Sequence, residues 1–247
     1  MMSFGSEKIA DLIRAGEVAA LVFDFDGTLY ESSAGIEQQL RPLMVQTAAR
    51  TLDVSHDEAR QVLARYRSQY RSSVLGLQEY HNVDPVSFLE EVYGNLDLSK
   101  MESRPGLSIE LSRLSKALPL VVFTNSNRSF TYRAIEILGL TDIFESVRTI
   151  EDNDFIRKPE PEAYEGLYRS LGLAPEQVAM FDDIVSSLQV LDSFGSNAIL
   201  VGNGLRPAPC FVDLHTGEEY QDVPDFIEAW THDLPGFLGE INEQLGL

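Results

Sequence analysis

Leu21-Val22-Phe23-Asp24-Phe25-Asp26-Gly27-Thr28-Leu29 is the stretch on which the fold turns. Leu21 to Phe23 is a continuous β-prone apolar run, the pattern of a strand buried on both faces of a parallel sheet. Asp24 and Asp26 follow where the run gives out, one residue apart. Two acids at the end of an apolar strand cost stability unless a cation or hydrogen bonds offset them. Gly27 lets the backbone turn sharply, and Thr28 places a hydroxyl beside the pair. The plain alternative is a strand end capped by turn-forming aspartates.

Three further segments repeat the theme. Leu120-Val121-Val122-Phe123 reads as a second buried strand, ending in Thr124-Asn125-Ser126. Arg157-Lys158-Pro159-Glu160-Pro161 places a lysine and prolines ahead of a helix. Val178-Ala179-Met180-Phe181 reads as a third strand, ending in Asp182-Asp183. Each has an ordinary explanation on its own. Thr124-Asn125-Ser126 also reads as a helix N-cap, Lys158 as a solvated loop lysine, and Asp182-Asp183 as acids favoured at a helix start. Joint order and position at strand ends set them apart.

Together, from Leu21 to Gly202, these segments resemble the four motifs of the haloacid dehalogenase superfamily, most of whose members are magnesium-dependent phosphohydrolases. The resemblance implies a Rossmann-like, doubly wound α/β fold with an inserted α-helical cap, and ligands at the carboxyl ends of its parallel strands. It implies that Asp24 attacks phosphorus to form an aspartyl-phosphate, and that Asp26 acts as general acid and then base. Thr124 and Asn125 would bind the phosphoryl group. Lys158 would neutralise its charge and hold Asp24 in place. Mg²⁺ would be held by Asp24, the backbone carbonyl of Asp26, and Asp183, with Asp182 as a further ligand or outer partner. The dehalogenase branch does not keep the second aspartate that Asp26 supplies here. Two departures stand out from the superfamily's nucleotidase-like group: Ser187, where that group usually has Asn, and Ser126, where it often has Gly or Ala.

The pattern predicts an N-terminal helix within 1–17 and helices over 32–103, and the resemblance implies that these last form the cap, with a catalytic core from 18–31 and 104–204 and an extension over 205–247. Inside the cap, apolar residues at Leu40, Leu43, Met44 and Ala48 form a helical stripe. Ser55 and Glu58 make a capping box, and Asp84-Pro85 an N-cap followed by a first helical residue. Core helices are expected over 105–118, 130–138, 161–171 and 184–194. Val147 to Ile150 reads as a strand, and Ala198 to Val201 as the last one. In the extension, Phe211 to Leu214 and a Thr216-Gly217 turn suggest a hairpin, and 226–230 and 237–245 amphipathic helical pieces. A brace against the core is expected of this region, with Trp230, Leu234, Phe237 and Leu238 as a candidate homodimer contact.

Within the cap, Tyr66 to Leu89, with Leu138-Gly139-Leu140, Asp142 and Phe144, looks like the pyrimidine 5'-nucleotidase group. That implies a nucleoside 5'-monophosphate substrate, with Arg67, Tyr70, Arg71, Tyr80 and His81 as candidate nucleotide contacts. Packing of the tyrosines and a hydrogen-bonded structural His81 are the alternatives. Phosphoglycolate or sugar-phosphate phosphatase, a β-phosphoglucomutase-like phosphotransferase and a non-catalytic binding protein stay open as other readings.

Composition fits a soluble enzyme and says little more, while the resemblance implies a cytoplasmic one acting on a small phosphate ester. A single cysteine, Cys210, precludes an internal disulfide and reads as an apolar filler. No apolar run is long enough to span a bilayer, and no signal-peptide pattern is present. Thirty-nine acids against 19 bases give a formal charge of −20, which argues against a nucleic-acid polymer as partner. An anionic substrate must then be drawn in by local positive charge.

Overall fold

The computed structural model describes residues 3–70, 72–202, 211–213 and 216–247. Arg71 and Cys210, and the 204/205 boundary expected for the extension, lie outside them. In chain order the elements are β1 (Ser3–Phe4), α1 (Ser6–Ala15), β2 (Ala20–Phe23), α2 (Ile36–Leu52), α3 (His56–Tyr70), α4 (Ser73–His81) and α5 (Pro85–Gly94). Next come α6 (Pro105–Leu114), β3 (Leu120–Phe123), α7 (Arg128–Ile137), β4 (Ser146–Arg148), α8 (Pro161–Leu171), β5 (Val178–Asp182), α9 (Val185–Phe194) and β6 (Asn197–Val201). The chain closes with β7 (Phe211–Val212), β8 (Glu219–Tyr220), β9 (Ala229–Thr231) and α10 (Leu234–Leu245).

One seven-stranded sheet, ordered β1-β9-β6-β5-β2-β3-β4, organises the molecule; all its neighbouring pairs are parallel except β1 with β9. Side chains alternate across it. Leu21, Phe23, Phe181 and Ile199 enter one apolar layer. Val22, Phe123, Met180 and Leu200 enter the layer packed on α8 and α9. Apolar runs buried on both faces are what a sheet covered by helices on both sides demands.

The helices α2 to α5, followed by α6, occupy the chain between β2 and β3. Their starts follow local chemistry. Ser55 and Glu58 exchange hydrogen bonds at the head of α3, the Glu58 carboxylate accepting from the Ser55 amide at 2.9 Å. Asp84 caps α5 by accepting from the Ser87 amide at 2.8 Å.

Three expectations change at this level. Ile150 begins a short 3₁₀ turn rather than ending a strand, because Thr149 and Asp152 form a capping box there. β6 is not the last strand: 229–231 pairs beside it, and Ser3–Phe4 adds the antiparallel edge. The amphipathic reading of 226–230 gave way because the open edge of β6 needs hydrogen-bond partners, and Ala229 and Thr231 alternate inward as a strand requires. Third, Leu234, Phe237 and Leu238 are buried in the chain's own core, so they are not available as a dimer contact. The expected hairpin is present as β7 and β8.

Gly76 on α4 marks where the insertion is tightest, since a Cβ there would lie 2.3 Å from Tyr66 Cγ on α3. Gly→Ala in a helix ordinarily gains about 1 kcal/mol, whereas overpacking a core costs about 1–3 kcal/mol. Gly76→Ala is therefore expected to lower stability in urea unfolding. A stabilised variant would contradict this packing.

Candidate active site

Parallel pairing brings the motif residues together. β2 lies between β3 and β5, with Phe23 opposite Val122 and Phe181. The Asp24 amide donates to the Phe181 carbonyl at 2.8 Å, so Asp24 emerges beside Asp182. Lys158 arrives from the loop before α8 and donates to Asp24 Oδ1 at 2.7 Å and Asp182 Oδ2 at 2.8 Å. Its own backbone is held by Asn125, whose Nδ2 donates to the Lys158 carbonyl at 3.1 Å and whose Oδ1 accepts from the Lys158 amide at 2.8 Å. Asn125 borders the cavity, but both ends of its amide are committed to positioning Lys158.

Asp24, Asp182 and Asp183 each offer a carboxylate oxygen, all within 4.8 Å of one another, and all three residues are buried. One ammonium faces this group. Burial, opposed by Lys158 and reinforced by Asp182 and Asp26, pushes Asp24 up to about 8. Asp183 is raised well above the carboxylate range by burial and by Asp24 and Asp182. Burial works against the Lys158 ammonium, but the Asp182 and Asp24 carboxylates outweigh it and hold its pKa above that of an ordinary lysine.

The two neighbouring acids differ in what they touch. Asp182 accepts from Lys158 and, at 2.8 Å, from the Ile184 amide. Both Asp183 oxygens are buried without any hydrogen-bond partner. Their approach depends on Gly27, whose φ is +87° and where a Cβ would lie 2.4 Å from Asp183 Oδ2. Buried, unpartnered oxygens are costly unless something binds them. Hard oxygen donors of this kind suit a divalent cation.

Asp26 points elsewhere. Its carboxylate accepts from Tyr30, from Ser126 Oγ at 2.7 Å and from Thr124 Oγ1 at 3.2 Å. The side chain therefore stands outside the acid cluster, which leaves only its backbone carbonyl for the metal role. Thr124, expected to hold a phosphoryl oxygen, is fully buried. Its hydroxyl donates to Asp26 and accepts from the Ser126 amide at 3.0 Å. Ser126 borders the cavity instead, and Tyr93 donates to it at 3.4 Å. Sequence reasoning assigned no role to Tyr30, Tyr93 or Arg157. A hydroxyl where the nucleotidase-like group often has Gly or Ala was the available signal for Ser126.

The profile of haloacid dehalogenase-like hydrolases matches residues 18–195, which span all of these groups. The chain belongs to that family. Phosphate metabolism protein 8 of Saccharomyces cerevisiae is 28% identical over 192 residues, covering 72% of this chain and 60% of the yeast protein. The chain thus spans less than two thirds of that relative. Phosphoglycolate phosphatase of Rhodobacter capsulatus is 24% identical over 221 residues, 86% of this chain and 98% of that protein. The fold is that of L-2-haloacid dehalogenase RSc1362, with a TM-score of 0.55 and 19% identity over 91% of this chain and 98% of the other. Membership of that family makes this an enzyme, a haloacid dehalogenase-like hydrolase.

A cavity of about 1640 Å³ opens above the acids of this family member. Asp24, Asp26, Lys158 and Asp183 border it from the core, and Leu40 and Met44 from α2 and Leu63 from α3 border it from the insertion. The aromatic group proposed for a nucleobase lies apart. Tyr66 stacks on Tyr80 with centroids 5.4 Å apart, its hydroxyl meets His81 Nε2 at 2.8 Å, and Tyr70 bonds to Tyr80. None of these four is among the described residues bordering the cavity. Arg67 is.

An acid whose pKa is raised on folding keeps a proton that the unfolded chain has lost. The burial of Asp24 and Asp183 therefore costs stability increasingly as pH rises from about 4 toward about 8. A cation competes with those protons, so it should stabilise more at high pH. Thermal unfolding with and without MgCl₂ is expected to show a larger rise in Tm at pH 8.5 than at pH 6. At 100 times Kd the gain is about 2.7 kcal/mol. The same shift at both pH values, or an undiminished shift in Asp183→Asn, would contradict the assignment.

Proposed function

We propose that the protein is a Mg²⁺-dependent phosphomonoesterase that acts on a small-molecule phosphate ester through an aspartyl-phosphate on Asp24. The observation that carries this reading is the Lys158 ammonium, 2.7 Å from Asp24 Oδ1. It orients one carboxylate oxygen and leaves positive charge where a phosphoryl group would sit. Asp24, Asp183 and the Asp26 carbonyl would hold the ion, and Asp182, occupied by Lys158 and the Ile184 amide, would act as an outer partner. Bound Mg²⁺ would neutralise charge on the phosphoryl oxygens and keep Asp24 ionised.

The remaining steps belong to the chain. Asp24 attacks phosphorus, forming an O–P bond as the bond to the ester oxygen breaks. Asp26, held by Tyr30, Ser126 and Thr124, gives its proton to the departing oxygen. It then takes a proton from the water that attacks the phosphoenzyme, which returns Asp24 and releases phosphate. Thr124 and Asn125 support the site from behind, by fixing Asp26 and Lys158 respectively. A pyrimidine nucleotide substrate rests on the short elements of the insertion, but Tyr70 and Tyr80 bond to each other and His81 bonds to Tyr66, so stacking by them does not support it.

Asp24→Asn should reduce Mg²⁺-dependent hydrolysis of p-nitrophenyl phosphate by at least about 10³-fold. Circular dichroism would verify that the variant folds. Retained activity in a folded variant would refute the nucleophile.

A further inference from the structure

The chain carries a formal charge of −20, yet among the described residues the cavity above Asp24 is bordered by four arginines: Arg41, Arg60, Arg67 and Arg157. Two of them are compensated. Arg41 pairs with Glu37 at 3.2 Å and Arg60 with Asp57 at 2.5 Å. Arg67 and Arg157 make no side-chain hydrogen bond or ion pair with any described residue. They approach the same space from two sides, Arg67 on α3 of the insertion and Arg157 in the loop just before Lys158. Each lies in the field of the other, and Arg157 is partly buried. Burial foremost, and Arg67 next, pull the Arg157 pKa down from its ordinary value. Glu37 and Glu160 act on it only through space. Both carboxylates border the cavity, but neither forms an ion pair with Arg157 or Arg67. Two guanidinium groups that bond to no described side chain in one cavity favour a ligand that supplies the counter-charge.

The position of Arg157 points to which part of a ligand that would be. Lys158 is already engaged by Asp24 and Asp182, so the phosphoryl end has its cation. Arg157 lies in the field of Tyr93. Tyr93 donates to Ser126 at 3.4 Å, and Ser126 donates to Asp26 at 2.7 Å. That chain of groups leads to the residue that would protonate the leaving oxygen, and so to the side of the cavity that the leaving group occupies.

We propose that Arg157, assisted by Arg67, forms a subsite for a second anionic group on the leaving-group part of the substrate. The substrate is then a phosphate monoester that also bears a carboxylate or a second phosphate. Guanidinium forks match either group through paired hydrogen bonds. The proposal rests on the phosphomonoesterase reading for its chemistry, but the subsite can be read by binding alone.

The experiment uses the full chain with MgCl₂ in two arms. Titration calorimetry compares phosphonoacetate with ethylphosphonate, which has a methyl in place of the carboxylate and cannot turn over. Phosphonoacetate is expected to bind at least tenfold more tightly. Arg157→Met should reduce that preference by about 10- to 100-fold, the range for hydrogen bonds to charged groups. Arg67→Met, on an exposed helix surface, should reduce it partially and guards against a misfolded Arg157 variant. The kinetic arm compares kcat/KM for 2-phosphoglycolate, 1,3-propanediol bisphosphate, ethyl phosphate and UMP. A preference for the carboxylate or for the bisphosphate tells which anion the subsite takes. Equal binding of the two phosphonates, or an unchanged preference in both variants, would overturn the proposal. A preference for UMP that Arg157→Met leaves intact would also overturn it. If p-nitrophenyl phosphate is not hydrolysed but the phosphonate preference holds, the enzymatic reading fails and the subsite stands.

Discussion

The buried ammonium of Lys158, shared between Asp24 and Asp182 at 2.7 and 2.8 Å, is the contact on which the rest of the site depends. Three carboxylates meet there against one ammonium, an imbalance that a protein interior does not tolerate without protons or a cation. The raised pKa of Asp24 and Asp183 is the proton answer. The unpartnered oxygens of Asp183 are the opening for the cation answer. Much of the surrounding structure serves this arrangement. β2 and β5 run side by side so that two acids emerge together, Asn125 grips the backbone of Lys158, and Gly27 leaves room for Asp183.

The same imbalance separates the two acids of the first motif. Asp24 faces Lys158 and the acid cluster, where its charge is controlled by neighbours. Asp26 faces three hydroxyls, from Tyr30, Ser126 and Thr124, a setting that can exchange protons. On a regular strand two residues apart would share a face, but β2 ends at Phe23 and the chain turns at Gly27, so Asp24 and Asp26 meet different partners. Above them the helical insertion contributes apolar walls and arginines. A chain with an acidic surface can therefore draw an anion inward through charge concentrated in one cavity.

How much of this could be read from the residues follows from the range of the interactions. The strands β2, β3 and β5 declared themselves as apolar runs, and the helix starts at Ser55 and Asp84 through capping chemistry three residues long. Asp24, Lys158, Asp182 and Asp183 could be named because each sits at a strand end or ahead of a helix. What escaped depends on contacts distant in sequence. β1 and β9 are short and pair with each other across the whole chain, as Ser3 with Thr231, so no local period announces them. Thr124 could be placed at the site, but not its turn toward Asp26. The spacing of the tyrosines of α3 and α4 is compatible with packing and with a base contact alike, and only the fold brings Tyr66 onto Tyr80.

The central claim is that Asp24 is the group that bonds to phosphorus. Rapid-quench turnover of p-nitrophenyl phosphate with Mg²⁺, followed by borohydride reduction and peptide mass spectrometry, tests it directly. The account predicts an acyl phosphate at Asp24, recovered as homoserine at that position and nowhere else, with more of it trapped when Asp26 is replaced by Asn. Turnover with no modification of Asp24, or with phosphate trapped on a different residue, would contradict the account.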